Sequence, residues 1–152
     1  AMLLVETSRK AGPMMLNRHP GYRAPILATS LGQVYLAYSP TEEREAVLAQ
    51  EAENTDPWND IARDLTASKK FFSDIRKRGY AVMHPDYSRI EYRHTMTSVG
   101  VPIMADDEVF ASINVLYLKK ALTPEQAVKT MLKPLQATAK KIAEDLARRS
   151  DK

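Results

Sequence analysis

The chain has 152 residues, about one domain's length, and its 44% hydrophobic and 27% charged content is typical of a folded globular domain and excludes a disordered chain. It has no cysteine, which excludes disulfides and cysteine-ligated zinc and fits a reducing, cytoplasmic location. A net charge of +3 is too small to predict nucleic-acid binding. No apolar run approaches the roughly 18 residues of a membrane helix, so no membrane partner is expected.

The chain opens with two short runs of strand character. Residues 3–8 and 13–18 are predicted strands, joined by a polar link of hairpin length. The first strand begins almost at once, with Ala1 before Met2 resembling a cloning remnant. We therefore expect the chain to be part of a longer protein.

Three helices are predicted in the middle of the chain. The first two begin behind Thr29 or Ser30 and behind Thr41, residues that favour helix N-caps. The third covers residues 66–78 and is followed by Gly79, which suits a left-handed C-cap.

The second half of the chain is predicted to be mostly sheet. The predicted strands are Tyr80–His84, Thr97–Ala105 and Val109–Leu118, and a final helix begins behind Thr123 with a capping box. Two polar stretches are predicted to be irregular, residues 51–60 and 85–96. The short links between strands imply an antiparallel sheet with segregated helices, which is an α+β fold.

Catalytic and cofactor motifs are not found in the sequence. It contains no GxSxG, HExxH, phosphate-loop or GxGxxG pattern, so no cofactor, metal or catalytic residue is predicted. An enzyme with a site around His84, Asp86 and His94 stays open as an alternative, although this spacing matches no familiar ligand pattern.

The two long strands each carry one face of small and polar residues. Side chains alternate along a strand, so Ser98 and Gly100 share a face, as do Ser112 and Asn114 on the next strand. Such a face cannot fill space as a core does. It either meets solvent or forms the floor of a cavity with a few convergent polar groups, and the residues alone leave both possibilities open.

Three blocks of sequence resemble the IclR family of bacterial transcription regulators. Gly21–Ala37 is similar to the run that opens the first helix of that family's effector-binding domain. Ile75–Val82 is similar to its I-R-x-x-G-Y-A block, and Val99–Ile103 followed by Val109–Val115 resembles its last strand pair. The blocks occur in the family's order and span most of the chain.

The resemblance implies a non-enzymatic sensor. It implies a GAF-like curved antiparallel sheet with flanking helices, occupying residues 1–152 as a single effector-binding domain. It also implies a small-molecule effector, assembly into a homodimer or tetramer, and DNA binding only through an N-terminal domain outside this chain. A dimerisation module with a filled core and no ligand is the alternative.

Alignment with the family also implies a set of pocket residues. The implied ligand-binding residues are Met15, Ser30, Leu31, Met83, Ser98, Asn114 and Leu116. Free amides at the N-terminus of the first helix suit a carboxylate. Because Met83 and Leu116 are apolar, the expected effector is a small aromatic or otherwise apolar carboxylate.

Overall fold

The computed structural model describes residues 1–7 and 19–150, and they form an α+β fold as expected. The strands are β1 (Met2–Leu3), β2 (Arg23–Ala24), β3 (Ala81–Val82), β4 (Met96–Ala105) and β5 (Glu108–Leu118). The helices are α1 (Ser30–Tyr38), α2 (Thr41–Glu51), α3 (Leu65–Arg78), α4 (Pro85–Tyr92) and α5 (Pro124–Ser150), with a 3₁₀ helix over Pro57–Arg63. Within the described ranges, no helix is long and apolar enough to cross a membrane.

The larger sheet is antiparallel in the order β3-β4-β5. The long hairpin β4–β5 is confirmed, and Gly100 lies opposite Asn114 in its register. Its turn places Asp106 and Asp107 at φ 50° and 64°, as a two-residue type I′ turn requires at both central positions. Strand β3 pairs over two residues, fewer than the Tyr80–His84 predicted.

The smaller sheet joins β1 to β2. The sequence missed β2, whose residues Arg23 and Ala24 lie in the run between the predicted turn and helix. Strand β1 ends at Leu3, so the predicted strand over residues 3–8 is too long. The predicted strand over residues 13–18 lies outside the described residues.

The β4–β5 hairpin is covered on both faces. Its bulky face packs on α5 in a core that includes Val99, Val101, Ile103, Tyr117, Leu135 and Ala139. A second core lies on the side of α1 and includes Leu27, Val34, Leu36, Phe72, Ile75 and Met83. The sheet thus forms the middle layer between α5 on one side and α1 with its neighbours on the other.

The small face of β4 lies directly against the start of α1. Ser98 is fully buried, and a Cβ atom added to Gly100 would lie 2.9 Å from the backbone oxygen of Ser30. This part of the face therefore neither meets solvent nor floors an open cavity, because helix backbone covers it. Small side chains are needed here to let the helix approach.

Three of the predicted helix ends are confirmed. Thr29 caps α1 by accepting a hydrogen bond from the Gly32 amide at 3.1 Å. Gly79 ends α3 in the left-handed conformation at φ 83°. Thr123 and Gln126 bond each other's backbone amides in the capping box that begins α5.

The predicted cap of α2 is wrong. Pro40 is the N-cap, and Thr41 is the first helical residue. The Thr41 hydroxyl instead accepts a hydrogen bond from Arg44, a guanidinium that also donates to the carbonyls of Leu36 and Ser39 at the end of α1. The Thr41 hydroxyl therefore bonds the Arg44 side chain and does not cap the helix.

Both stretches predicted to be irregular contain helix. Residues 85–96 include α4, which carries helix-start signals: an N-cap at His84, Pro85 in the first turn and Asp86 near the positive end of the dipole. Residues 51–60 include the start of the 3₁₀ helix, which also begins with a proline, Pro57. Their polar composition hid these short elements.

The close approach of α1 to β4 predicts that Gly100→Ala destabilises the domain. The added methyl would press on the Ser30 backbone, and overpacking of this kind costs about 1–3 kcal/mol. Chemical denaturation measures the loss. Ser112→Ala is the matched control on the same sheet face: it removes a hydroxyl without a hydrogen-bond partner in the described part of the chain, so its stability should stay within about 0.5 kcal/mol of the parent.

Candidate functional site

Three of the predicted site residues meet where α1 begins. The Ser30 and Ser98 hydroxyls share a hydrogen bond of 2.7 Å, and the Asn114 amide donates to the Ser30 hydroxyl at 3.3 Å. Ser30 and Ser98 are fully buried, whereas Asn114 is half-buried. Alternation on β4 and β5 predicted that Ser98 and Asn114 share one face. The register places Asn114 opposite Gly100, the residue that lies against the Ser30 backbone.

Two apolar predicted residues adjoin this polar group. Met83 is buried, and its amide donates to the Ser98 carbonyl at 3.3 Å. Leu116 lies opposite Ser98 in the strand register and packs on the same core as Met83. Ser98 therefore links the polar and apolar parts of the site: its hydroxyl bonds Ser30, its carbonyl accepts from Met83 and its strand partner is Leu116.

Of the remaining two predicted residues, Leu31 and Met15, only Leu31 is described by the structure. Leu31 is half-buried in the first turn of α1, where the Gly32 and Gln33 amides bond Thr29. No partner among the described residues bonds the amides of Ser30 or Leu31. Met15 lies outside the described residues. We use the term effector site, after the family resemblance, for the candidate residues Ser30, Leu31, Met83, Ser98, Asn114 and Leu116.

An aromatic group beside Met83 was missed by the sequence analysis. Tyr87 of α4 is buried in the same core, and its ring meets Trp58 at 5.3 Å and Tyr92 at 6.0 Å, both edge to face. Its hydroxyl lies 3.3 Å from that of Tyr22. The helix-start signals of α4 could have indicated that Tyr87 lies on a helix. Ser88, the next residue, is also buried and donates a hydrogen bond to the Met96 carbonyl at the start of β4.

His84 has a structural role at the entry to α4. Its Nδ1 accepts a hydrogen bond from the Asp86 amide at 3.2 Å, so the imidazole is the N-cap of the helix that carries Tyr87. Burial lowers the pKa of His84, and the nearby carboxylates of Asp86 and Asp60 oppose that shift. Neutral imidazole is the form that accepts this bond.

In the part of the chain that the structure describes, His84, Asp86 and His94 do not form the metal or catalytic cluster that was left open as an alternative. Across residues 1–7 and 19–150, no three histidine or acidic side chains are placed to hold a metal ion. His94 is exposed, in a left-handed conformation just after α4, whereas His84 faces the Asp86 backbone.

Two open clefts, each of about 400 Å³, lie away from the effector site. One is found between the end of α1, the start of α2 and the β4–β5 turn. The other lies between β3 and α5. None of the described site residues lines either cleft, and Ser30, Ser98 and Met83 are buried.

Comparison with known proteins decides the family. Residues 1–144 match the model of the bacterial transcriptional regulator IclR C-terminal domain. This chain belongs to the IclR family. The family expected from the three sequence blocks is therefore confirmed. The chain is the C-terminal regulatory domain of a transcription regulator.

Solved structures of IclR-family and other regulators share the fold. A transcriptional regulator from Rhodococcus sp. RHA1 is 27% identical with a TM-score of 0.67, over 91% of this chain and 54% of its own. The Thermotoga maritima IclR is 26% identical with a TM-score of 0.68, over 91% and 53%. The Acinetobacter PobR inducer-binding domain, a double mutant complexed with 3-hydroxybenzoic acid, is 20% identical with a TM-score of 0.67, over 88% and 76%. The chain spans about half the length of the first two.

The His84 cap makes the stability of this IclR-family domain pH-dependent. The pKa of His84 is lowered in the folded state, so folding favours the neutral form. This contribution is complete above the unfolded pKa of about 6.5 and is lost as the pH falls through the lower folded pKa. We expect the melting temperature to fall as the pH is lowered below about 7.

The substitution His84→Asn isolates this effect. Asparagine is a good N-cap that does not titrate, so the variant should keep the stability at pH 7.5 and show a flatter profile below pH 6.5. His94→Asn, at an exposed position, is the control and should retain the slope of the parent. An unchanged slope in His84→Asn would contradict the assignment.

Proposed function

We propose that this domain binds a small aromatic or otherwise apolar carboxylate at the effector site, and that binding regulates the full-length transcription regulator. The observation that carries the proposal is the convergence of Ser30, Ser98 and Asn114 beside the apolar Met83 and Leu116. Small-molecule sites are built in this way, from an apolar lining with a few polar groups that fix orientation.

The start of α1 supplies the groups for a carboxylate. The Ser30 and Leu31 amides point from a helix N-terminus, where the helix dipole favours negative charge. Asn114 adds a side-chain amide from the sheet. A carboxylate accepts hydrogen bonds from all three at once, whereas a cation would meet only donors and the positive end of the dipole.

The neighbouring residues favour an apolar body. Met83 and Leu116 present a thioether and a branched alkyl chain, and Tyr87 adds an aromatic ring to the same core. The related PobR inducer-binding domain was crystallised with 3-hydroxybenzoic acid, an aromatic carboxylate. This supports the same class of ligand here.

A dimerisation module without a ligand is the second candidate. The close packing favours it, because Ser30 and Ser98 satisfy each other and Met83 and Tyr87 are almost fully buried. Under the first proposal, a ligand must displace part of this packing, and we propose that the buried ring of Tyr87 on α4 is the group that moves. Binding would then stabilise the displaced position relative to the packed one.

Binding of DNA is proposed to lie outside this chain. The chain spans about half the length of the Rhodococcus and Thermotoga regulators, and its acidic and basic residues nearly balance. Effector binding would then change how the subunits, and the DNA-binding parts attached to them, are arranged.

A thermal-shift screen with aromatic and aliphatic carboxylates tests the proposal. A ligand present at 100 times its dissociation constant stabilises the folded state by about 2.7 kcal/mol, which raises the melting temperature by roughly 5–10 °C in a domain of this size. Carboxylates should produce this shift and their primary amides should not. Equal shifts for acid and amide would contradict the carboxylate assignment.

The central site prediction concerns Asn114→Leu. The change keeps the side-chain volume and leaves the Ser30–Ser98 hydrogen bond in place, so the fold should be retained. Loss of the amide should weaken the binding of a carboxylate found in the screen by about tenfold to a hundredfold, equivalent to about 1–3 kcal/mol. Isothermal titration measures the change.

Thr97→Val provides the matched control on the neighbouring strand. Thr97 is half-buried on the opposite face of β4, so its hydroxyl can be removed without touching the effector site. Binding should stay within about twofold of the parent. If Asn114→Leu also binds normally, the effector site lies elsewhere.

Self-association is also predicted for this domain. Phe71 on α3 is half-buried and packs on the core beside Phe72. Phe110 on β5 is 61% exposed and is therefore the better candidate for a contact between subunits. Light scattering at high micromolar concentration should give the mass of a dimer or tetramer, and Phe110→Ser should lower it, whereas a monomeric parent would contradict the prediction.

A further inference from the structure

We propose that Trp58 determines effector specificity by donating a hydrogen bond from its indole Nε1–H to an acceptor on the effector's ring. This inference rests on the proposed function, because it assigns a second polar contact to the same ligand. It predicts a two-ended effector: a carboxylate at the start of α1 and a hydroxyl, methoxy or carbonyl group at the Trp58 end.

The indole N–H is a buried donor that the fold leaves unused. Trp58 is 6% exposed, and no group among residues 1–7 and 19–150 bonds its Nε1 atom. Buried tryptophans usually pair this group, since an unpaired buried donor loses its hydration without compensation. A donor kept in this state is available to a ligand.

Trp58 is connected to the effector site through Tyr87. The two rings meet edge to face with their centroids 5.3 Å apart, and both side chains belong to the core that contains Met83. Under the proposal, a displacement of Tyr87 that admits a ligand would also expose the Trp58 ring packed against it.

The neighbouring buried amide serves a different surface. Within the described ranges the Asn59 Oδ1 atom is also unpaired, but the Asn59 side-chain nitrogen donates to Glu51 at the end of α2. Asn59 therefore contacts α2, whereas the Trp58 ring contacts Tyr87 of α4. For this reason the proposal concerns Trp58 and not Asn59.

The chemistry of the indole restricts the group that it recognises. An indole N–H only donates, so its partner on the effector must accept. A ring hydroxyl, methoxy or carbonyl oxygen does so, and a methyl group of similar size does not. A site built to pair such a donor rejects the analogue that lacks the acceptor, because the donor is then left unpaired in the complex.

A structural use of the donor is the competing explanation. The edge-to-face geometry would also let the indole N–H point at the Tyr87 ring, which is a weak acceptor. In that case the N–H would contribute to the fold and would not distinguish one ligand from another.

The composition of the chain allows a precise test. Trp58 is the single tryptophan, so biosynthetic replacement of tryptophan by 3-benzothienylalanine changes only this residue and replaces the N–H with sulfur. Titration calorimetry then compares benzoate, the three methylbenzoates and the three hydroxybenzoates. The native protein should prefer one hydroxybenzoate over the matching methylbenzoate by about tenfold or more.

The replaced protein should lose that preference and keep its affinity for benzoate. Tyr35→Phe is the control: it removes a hydroxyl that bonds Glu43 on the surface and should leave the preference unchanged. An equal preference in native and replaced protein overturns the inference and leaves the proposed function standing. Failure of every benzoate to bind the native protein overturns the inference, whereas the proposed function fails only if no carboxylate of the wider thermal-shift screen binds.

The melting temperature without ligand separates the structural explanation. If the N–H is unpaired, the replacement should leave the melting temperature unchanged or raise it. A fall of more than about 3 °C, the scale of one lost hydrogen bond in a domain of this size, would show that the N–H already has a partner and would overturn the inference.

Discussion

The close contact between the first turn of α1 and the middle of β4 is the constraint on which the rest of this domain depends. It requires a residue without a side chain at Gly100 and a small one at Ser98, and it joins the Ser30 hydroxyl to the sheet. A second close approach lies within the turn that leads into the helix, where a Cβ atom at Gly32 would lie 1.9 Å from the Ile26 oxygen. Backbone thus packs closely on backbone at both Gly100 and Gly32, so the start of α1 is fixed within tight limits.

Most of the fold could be predicted because its signals are local. Alternation along the strands found the β4–β5 hairpin, and cap residues such as Thr29, Gly79 and Thr123 marked true helix ends. The errors have physical reasons. Strand β2 is two residues long and forms only through pairing with β1, and α4 has a polar exterior that hides the apolar contacts of Tyr87.

The candidate site was harder to predict because it is assembled from distant parts of the chain. Alternation placed Ser98 and Asn114 on one face, but only the fold shows that Ser30 joins them, and that α1 covers the Gly100 part of that face. Trp58 carried no local signal. It lies in a stretch of acidic residues without a hydrophobic period, and its burial depends on packing against Tyr87 of α4.

The alternation of β4 also has a mechanical consequence. Ser98 and Val99 are consecutive, yet one faces the effector site and the other lies in the core under α5. A strand is stiff along its length, so a displacement of Ser98 by a bound molecule moves Val99 by a comparable amount into the opposite layer. Helix α5 has 27 residues and is therefore about 40 Å long. A small tilt of α5 at its contact with β4 would therefore produce a larger displacement at the two ends of the helix.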